Sequence, residues 1–344
     1  MTGEQDVPAV DLAFLQALPK AELHVHHVGS ASVEAVSTLA ARHEGSTPVP
    51  AEPTALADYF RFTDFGHFIE VYLSVVDLLR TPEDLWTLTH QVGTDLAEQQ
   101  VRYAELTLTP YTSIVRGIPA EAYVEAVEDA RRRVEAETGL VLRWIFDIPG
   151  ESGLEAADVT LDVALRLRPD ALVGFGLGGP EVGVPRPQFA PHFAQARAAG
   201  LHSVPHAGES TGPQTVRDAI EHLGAERIGH GIAAAQDPAL MALLAERGIV
   251  LEVCPTSNVC TRSVPSIELH PLPALVDAGV PVTINSDDPP MFGTTLTREY
   301  AVAADLLGLD RPGVVDLARA AVDASWAPVD VKASLHAELD VAAL

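Results

Sequence analysis

The 344-residue chain predicts an α/β protein built as a (β/α)8 TIM barrel, and three observations point there. From residue 101 onward, apolar runs of strand length alternate with amphipathic stretches of helix length, the pattern of a parallel sheet wrapped by helices. Several helical stretches end at a glycine shortly before the next run, at Gly139, Gly200, Gly224, Gly248 and Gly279, as left-handed C-terminal caps require. Titratable residues gather at the C-terminal ends of the apolar runs, the face that carries chemistry in such barrels. Barrels of this kind often run past ~250 residues as one unit, so residues 1–344 are expected to form a single domain.

The first run, residues 21–30, reads AELHVHHVGS. Side chains on a strand alternate faces, so His24 and His26 point the same way and could grip one ion, while His27 points away. Residues 31–100 show three or four helical patterns and no convincing strand, broken early by Pro48, Pro50 and Pro53. Thr63 and Asp64 could cap a helix carrying Phe65, Phe68, Ile69 and Tyr72 along one face, and Thr81-Pro82-Glu83-Asp84 is a helix start. This segment is expected to be a helical insertion roofing a pocket, with Phe60, Phe62, Phe65 and Phe68 lining it or serving as ordinary core. Seven further runs follow at 101–109, 141–149, 172–179, 201–209, 227–232, 249–258 and 281–289, making eight. Residues 294–344 read as helices closing the end of the barrel.

Composition narrows the function. A formal net charge of -26 sets the whole protein's field against nucleic acid and anionic membranes, and no basic run offers a phosphate track. A small buried substrate escapes most of that penalty. No stretch approaches the ~20 apolar residues of a membrane span, and the acidic N-terminus reads as neither signal nor transit peptide. Cys254 and Cys260 are too few for a disulfide framework, so a reduced, cytoplasmic setting is the expectation.

Polar residues at the ends of apolar runs are costly unless paired or bound to metal. Here His24 and His26 end the first run, His206 and Glu209 the fifth, His230 the sixth, and Asp287 and Asp288 the eighth. Taken singly, a His-x-His, a GHG turn or an Asp-Asp-Pro is more often structural; in register at one face they form a site. His24, His26, His206 and Asp287 make a plausible ligand set for one zinc ion per chain, with a position left open for water. Gly174, Gly176 and Gly179 match G-x-G-x-x-G, but inside a strand and ending at Pro180, which fails the dinucleotide context. The spacing of Cys254 and Cys260 also misses the P-C-x-x-C zinc signature.

LHVHH, PHAGE, IGHGI and SDDP, in this order, resemble the adenosine deaminase family of metal-dependent hydrolases, and PKAELH, GLGG-Pro-Glu and CPTSN extend the resemblance over most of the chain. It implies hydrolytic removal of the 6-amino group of an adenine-like ring, with ammonia as second product and no nucleic-acid or membrane partner. Zinc lowers the pKa of water to ~7, which suits attack on a carbon bearing a poor leaving group. By the resemblance, Glu209 protonates the ring nitrogen and then the departing amine. His230 orients the attacking oxygen, Asp288 bonds the five-membered half of the purine, and the backbone of Gly179 meets the opposite edge.

The match departs at one end of the pocket. Where the family usually reads H-x-H-Leu-Asp-Gly, with the aspartate serving the ribose 5'-hydroxyl, this chain has His26-His27-Val28-Gly29, and Gly176 replaces an aspartate common before the purine-binding glycine. HVHHVGSAS and SDDPPMFGT are similar to those family members that deaminate 6-amino-6-deoxyfutalosine in menaquinone biosynthesis, whose substrate carries an aryl ketone extension in place of that hydroxyl. That nucleoside is the expected substrate and adenosine the alternative; a barrel that has lost catalysis and serves as a binding protein is a third reading, which the intact ligand set and Glu209 oppose. Val28, with Phe62 or Phe65, would cover the extension. The tail's carboxylate would need a cation near the mouth, for which Arg116 and Arg186 are the candidates.

Overall fold

In the computed structural model, residues 10–60 and 65–343 are described, apart from the side chains at 65, 66 and 68. Eight parallel strands run in the order of the sequence: β1 (Lys20–His26), β2 (Val101–Leu108), β3 (Val141–Pro149), β4 (Leu172–Gly178), β5 (His202–Ala207), β6 (Arg227–His230), β7 (Val250–Val253) and β8 (Val282–Ile284). The ring closes where Asp287 N–H donates to the His24 carbonyl and His26 N–H to the Asp287 carbonyl, both at 3.0 Å. This is the (β/α)8 barrel. The observed β5 to β8 stop short of the apolar runs that announced them, because their last residues leave the ladder to present side chains at the mouth. Asp287 and His230 do so at positive φ, 65° and 60°, a conformation rare for non-glycine residues and found where a site demands it.

A short helix α1 (Leu12–Ala17), capped by Asp11, precedes β1. Between β1 and β2 stand four helices: α2 (Val33–Arg42), α3 (Pro53–Tyr59), α4 (Phe65–Val76) and α5 (Pro82–Glu98). The Thr81 hydroxyl and Asp84 form a reciprocal capping box at the start of α5, as the sequence announces. The proposed Thr63-Asp64 cap and Phe62 lie outside the described residues. His27 turns away from the barrel axis, with its Nε2 2.9 Å from the Thr89 hydroxyl of α5.

All five glycines expected as caps have positive φ, from 63° to 86°. Outward-facing residues of the strands pack on the helices, as Phe146 does on Tyr123 and Phe175 on Phe193. Three helices end the chain, Leu296–Leu307, Arg311–Ala324 and Val329–Ala342. Between the last two, Trp326 seals the N-terminal end of the barrel, stacked on His202 at 4.4 Å with the Arg227 guanidinium 3.5 Å over its ring. The chemistry is left to the opposite end. Among the described residues, no helix is long and apolar enough to cross a membrane.

Candidate active site

Three imidazoles and a carboxylate converge at the C-terminal end of the barrel. His26 Nε2 lies 3.2 Å from His206 Nε2 and 3.2 Å from Asp287 Oδ1, and His24 Nε2 is 3.7 Å from the same oxygen. His24, His26 and His206 form one group able to hold a metal ion, and His24, His230 and Asp287 a second that shares His24. His24 Nε2 is buried without a hydrogen-bond partner. An orphan nitrogen is costly in a protein interior unless something absent here binds it. Three nitrogens and one oxygen are a donor set zinc accepts.

The electrostatics agree. Burial lowers His26 to about 4, and burial with the neighbouring imidazoles holds His206 well below the usual range, so both present lone pairs. Burial would lower His24 too, but its contacts with Asp287 and Glu252 outweigh it and raise it to about 10, a proton that a cation would displace. Asp287 would be raised by burial, yet the surrounding imidazoles hold it well below the carboxylate range. Gly229 makes the gathering possible: a Cβ there would stand 2.7 Å from the His24 ring and 3.1 Å from that of His206.

Beside this group, Glu209 Oε2 and Asp287 Oδ2 lie 3.7 and 3.8 Å from His230 Nε2. Burial, then the charges of Asp287 and Glu181, raise Glu209 to about 8, which leaves it protonated at neutral pH and able to donate. Burial and the adjacent Asp287 hold Asp288 well above the usual range as well. Asp288 lies over Gly29, where any Cβ would collide with its carboxyl at 1.5 Å, and its Oδ1 is buried without a partner. Gly179, at φ 77°, backs onto Glu151. Val28 is half-buried in the turn after β1, packed on the core. Phe65 opens α4, but its side chain is not among those described.

The two arginines are placed differently from each other. Arg186 is 0% exposed, donating from Nε to the His206 carbonyl (3.1 Å) and from Nη1 to that of Val184 (3.0 Å), with Glu181 3.8 Å away. Its Nε bond braces the end of β5, and its Nη2 is buried without a hydrogen-bond partner. Arg116 is exposed after β2, bonded to Asp77 at 3.0 Å and to the Thr112 carbonyl.

Several residues that touch the site were not singled out from the sequence. The short helix Pro255–Cys260 after β7 carries Ser257, which donates to Asp287 Oδ2 at 2.5 Å, and Asn258, 3.1 Å from His230 Nδ1. Thr261, just beyond, donates to Glu209 Oε1 at 3.0 Å. Glu252 of β7 lies 2.9 Å from His24 Nδ1 and is itself paired with Arg227 at 2.7 Å. The signal was the CPTSN string, whose polar residues sit too close to a strand end to be idle. Across the barrel, Phe146 faces the helices, so Asp147 faces inward; its Oδ1 accepts from Thr109 (2.6 Å) and its Oδ2 lies against Gly178. Burial first, then Glu151, raise Asp147 to about 7. Tyr72 of α4 stands in the field of Asp288, Asp147, Glu151 and Asp287, and burial with these charges pushes its phenol well up.

Known proteins give this arrangement a context. The adenosine deaminase family model matches residues 19–342. The chain is 64% identical to the aminodeoxyfutalosine deaminase of Streptomyces coelicolor over 98% of its own length and 87% of that protein's. It is similar to the crystal structure of an adenine deaminase from Arthrobacter aurescens, with TM-score 0.88, 30% identity, and 94% and 98% of the two chains covered. A zinc-bound amidohydrolase from Burkholderia ambifaria superimposes with TM-score 0.86 at 27% identity, covering 99% and 96%. With its fold, its cluster of imidazoles and carboxylates, and a family match spanning nearly the whole chain, this protein belongs to the adenosine deaminase family of metal-dependent hydrolases.

Proposed function

We propose that the enzyme hydrolytically deaminates a 6-aminopurine nucleoside, 6-amino-6-deoxyfutalosine, to futalosine and ammonia, serving menaquinone biosynthesis. The reaction type is carried by one observation: the Glu209 carboxyl stands 3.7 Å from His230 Nε2 beside the gathered His24, His26, His206 and Asp287. The substrate is carried by the 64% identity to a protein of that activity and by Val28, which offers no hydrogen bond to a 5'-hydroxyl.

His24, His26, His206 and Asp287 would hold one zinc ion, which when bound supplies the Lewis acidity that makes water a nucleophile at neutral pH. Glu209 gives its proton to the ring nitrogen next to the carbon under attack, draining electrons from that carbon. A water oxygen bonds to that carbon and loses both its protons through the Glu209 carboxylate, one to the exocyclic amine and one kept by Glu209; the C–N bond breaks, the amine leaves as ammonia and the ring nitrogen keeps its proton. His230 keeps an Nε2 hydrogen beside the attacked carbon. Asp288, its carboxyl held well above the usual range by burial and Asp287 and its Oδ1 unpartnered, donates to the five-membered half of the ring, while the Gly179 backbone fixes the opposite edge. Asp147, bound to Thr109, faces the sugar. Residues 31–100, with Tyr72 reaching in, roof the pocket in one domain with the barrel.

The similarity to an adenine deaminase favours free adenine as a second reading. Elemental analysis of the purified protein combined with ammonia release tests the proposal: one zinc per chain and one ammonia per nucleoside consumed are expected. A metal-free protein that binds purine nucleosides without releasing ammonia would turn the reading toward a binding protein.

A further inference from the structure

A neutral imidazole has one proton and two nitrogens to place it on, so His230 can donate into the site from Nε2 only if something holds its Nδ1 as an acceptor. A chain of partners determines where the hydrogens lie when it begins at a group that only donates. Such a group stands behind His230. The backbone N–H of Leu272 donates to Nδ1 of His270 at 3.1 Å, so that nitrogen carries a lone pair. Burial lowers His270 to about 4, and the neutral ring therefore has its proton on Nε2. His270 Nε2 is 3.1 Å from Asn258 Oδ1 and donates to it.

With its oxygen taken, the Asn258 amide turns its NH2 toward Nδ1 of His230, 3.1 Å away. His230 Nδ1 accepts, which leaves the proton on Nε2, the nitrogen that faces Glu209 and Asp287. Asn258 is 0%, His230 1% and His270 4% exposed, so solvent does not compete for these bonds.

We propose that Asn258 and His270 are positioning residues that fix His230 in the tautomer with its proton on Nε2, anchored at the Leu272 backbone. The inference rests on the reading of His230 as a group acting at the attacked carbon. An amide at 258 is needed because its two ends differ: it accepts from His270 and donates to His230. A carboxylate there accepts at both ends and draws the His230 proton to Nδ1, away from the substrate. In the serine-protease triad the analogous reversal of a histidine tautomer costs about 10⁴ in kcat.

The test is the pair of ring ¹⁵N chemical shifts of His230 in the zinc-loaded enzyme, assigned by their loss in His230→Ala. In the wild type, Nδ1 is expected to resonate as the unprotonated nitrogen and Nε2 as the protonated one. Asn258→Asp should reverse the two shifts and lower kcat by about 100-fold or more with KM within about threefold. A second pair guards against misfolding: His270→Gln, whose amide nitrogen can donate as Nε2 did, should keep the wild-type shifts and kcat within about threefold, while His270→Leu should lose about tenfold in kcat. A wild-type His230 protonated at Nδ1 overturns the proposal without any variant. A reversed tautomer in Asn258→Asp with unchanged kcat overturns the positioning role. The shifts involve no substrate, so they stand apart from the deaminase assignment, whose failure would show instead as absent ammonia release.

Discussion

On one side of the barrel mouth, formed by β5 to β8 and β1, four of the reactive groups are each gripped by a second one: Asp287 by Ser257, Glu209 by Thr261, His230 by Asn258, His24 by Glu252. On the other side, β2 to β4 bring Thr109, one inward carboxylate, Asp147, and the small residues Gly176, Gly178 and Gly179. The braced side leaves its groups little freedom, which is what bond-making chemistry requires of pre-organised donors. The open side presents glycine backbone and the Thr109-held Asp147, groups suited to choosing a substrate rather than to making bonds. The two sides should therefore fail differently when mutated.

The sharpest contrast is expected on the braced side. Asp287→Ala removes a proposed ligand and should lower metal affinity by more than the ~10- to 100-fold typical of losing a group that only supports a ligand, while Asp288→Ala keeps the metal and weakens purine binding. Competition with a chelator measures both, and equal metal loss in the two variants would show the pair wrongly assigned. Glu209→Gln should retain metal and lose ~10² to 10⁴ in kcat, since the amide keeps the shape but delivers no proton. In the proposed mechanism the acid form of Glu209 acts, so kcat/KM should fall as pH rises through its pKa of about 8. A bound cation lowers that value, placing the limb at or below about 8, and a profile flat to pH 10 would exclude Glu209 as the donor.

On the open side, Asp147→Ala should leave metal content untouched and raise KM about tenfold, the value of one hydrogen bond to a charged acceptor at ~1.4 kcal/mol per decade. Loss of metal with Asp147→Ala would break the division between the two sides. The smallest effect is expected from Arg116→Ala, within about threefold in KM, because its exposed pair with Asp77 is worth ~1 kcal/mol or less. A tenfold rise would restore Arg116 as the receptor of the substrate's carboxylate.

The same division governs how much could be read from the sequence. The barrel and the braced side's reactive groups were legible because histidines, Glu209 and the Asp-Asp pair interrupt apolar runs, and such interruptions are expensive without a purpose. Their supports were harder to see: Ser257, Asn258 and Thr261 are ordinary helix and turn residues until the fold brings them under β5, β6 and β8. The burial of Arg186 was not legible, because it depends on three carbonyl and carboxylate partners that only the fold brings around it. Asp147 carries no spacing signal at all, since whether it faces the helices or the barrel depends on one residue of register.

The central claim is that the ring chemistry of the family is kept while the pocket beyond it has changed to suit an extended nucleoside. In the proposed pocket a 5'-hydroxyl would meet Val28 and find no acceptor, at a cost of ~1 to 3 kcal/mol, and an aryl extension there would gain ~25 cal/mol for each Å² of apolar surface it buries. The direct measurement is kcat/KM for 6-amino-6-deoxyfutalosine, adenosine and adenine, side by side on the same zinc-loaded enzyme, by ammonia release. The extended nucleoside should exceed each of the others by at least ~100-fold. Comparable values, or a preference for adenosine or adenine, would contradict the assignment.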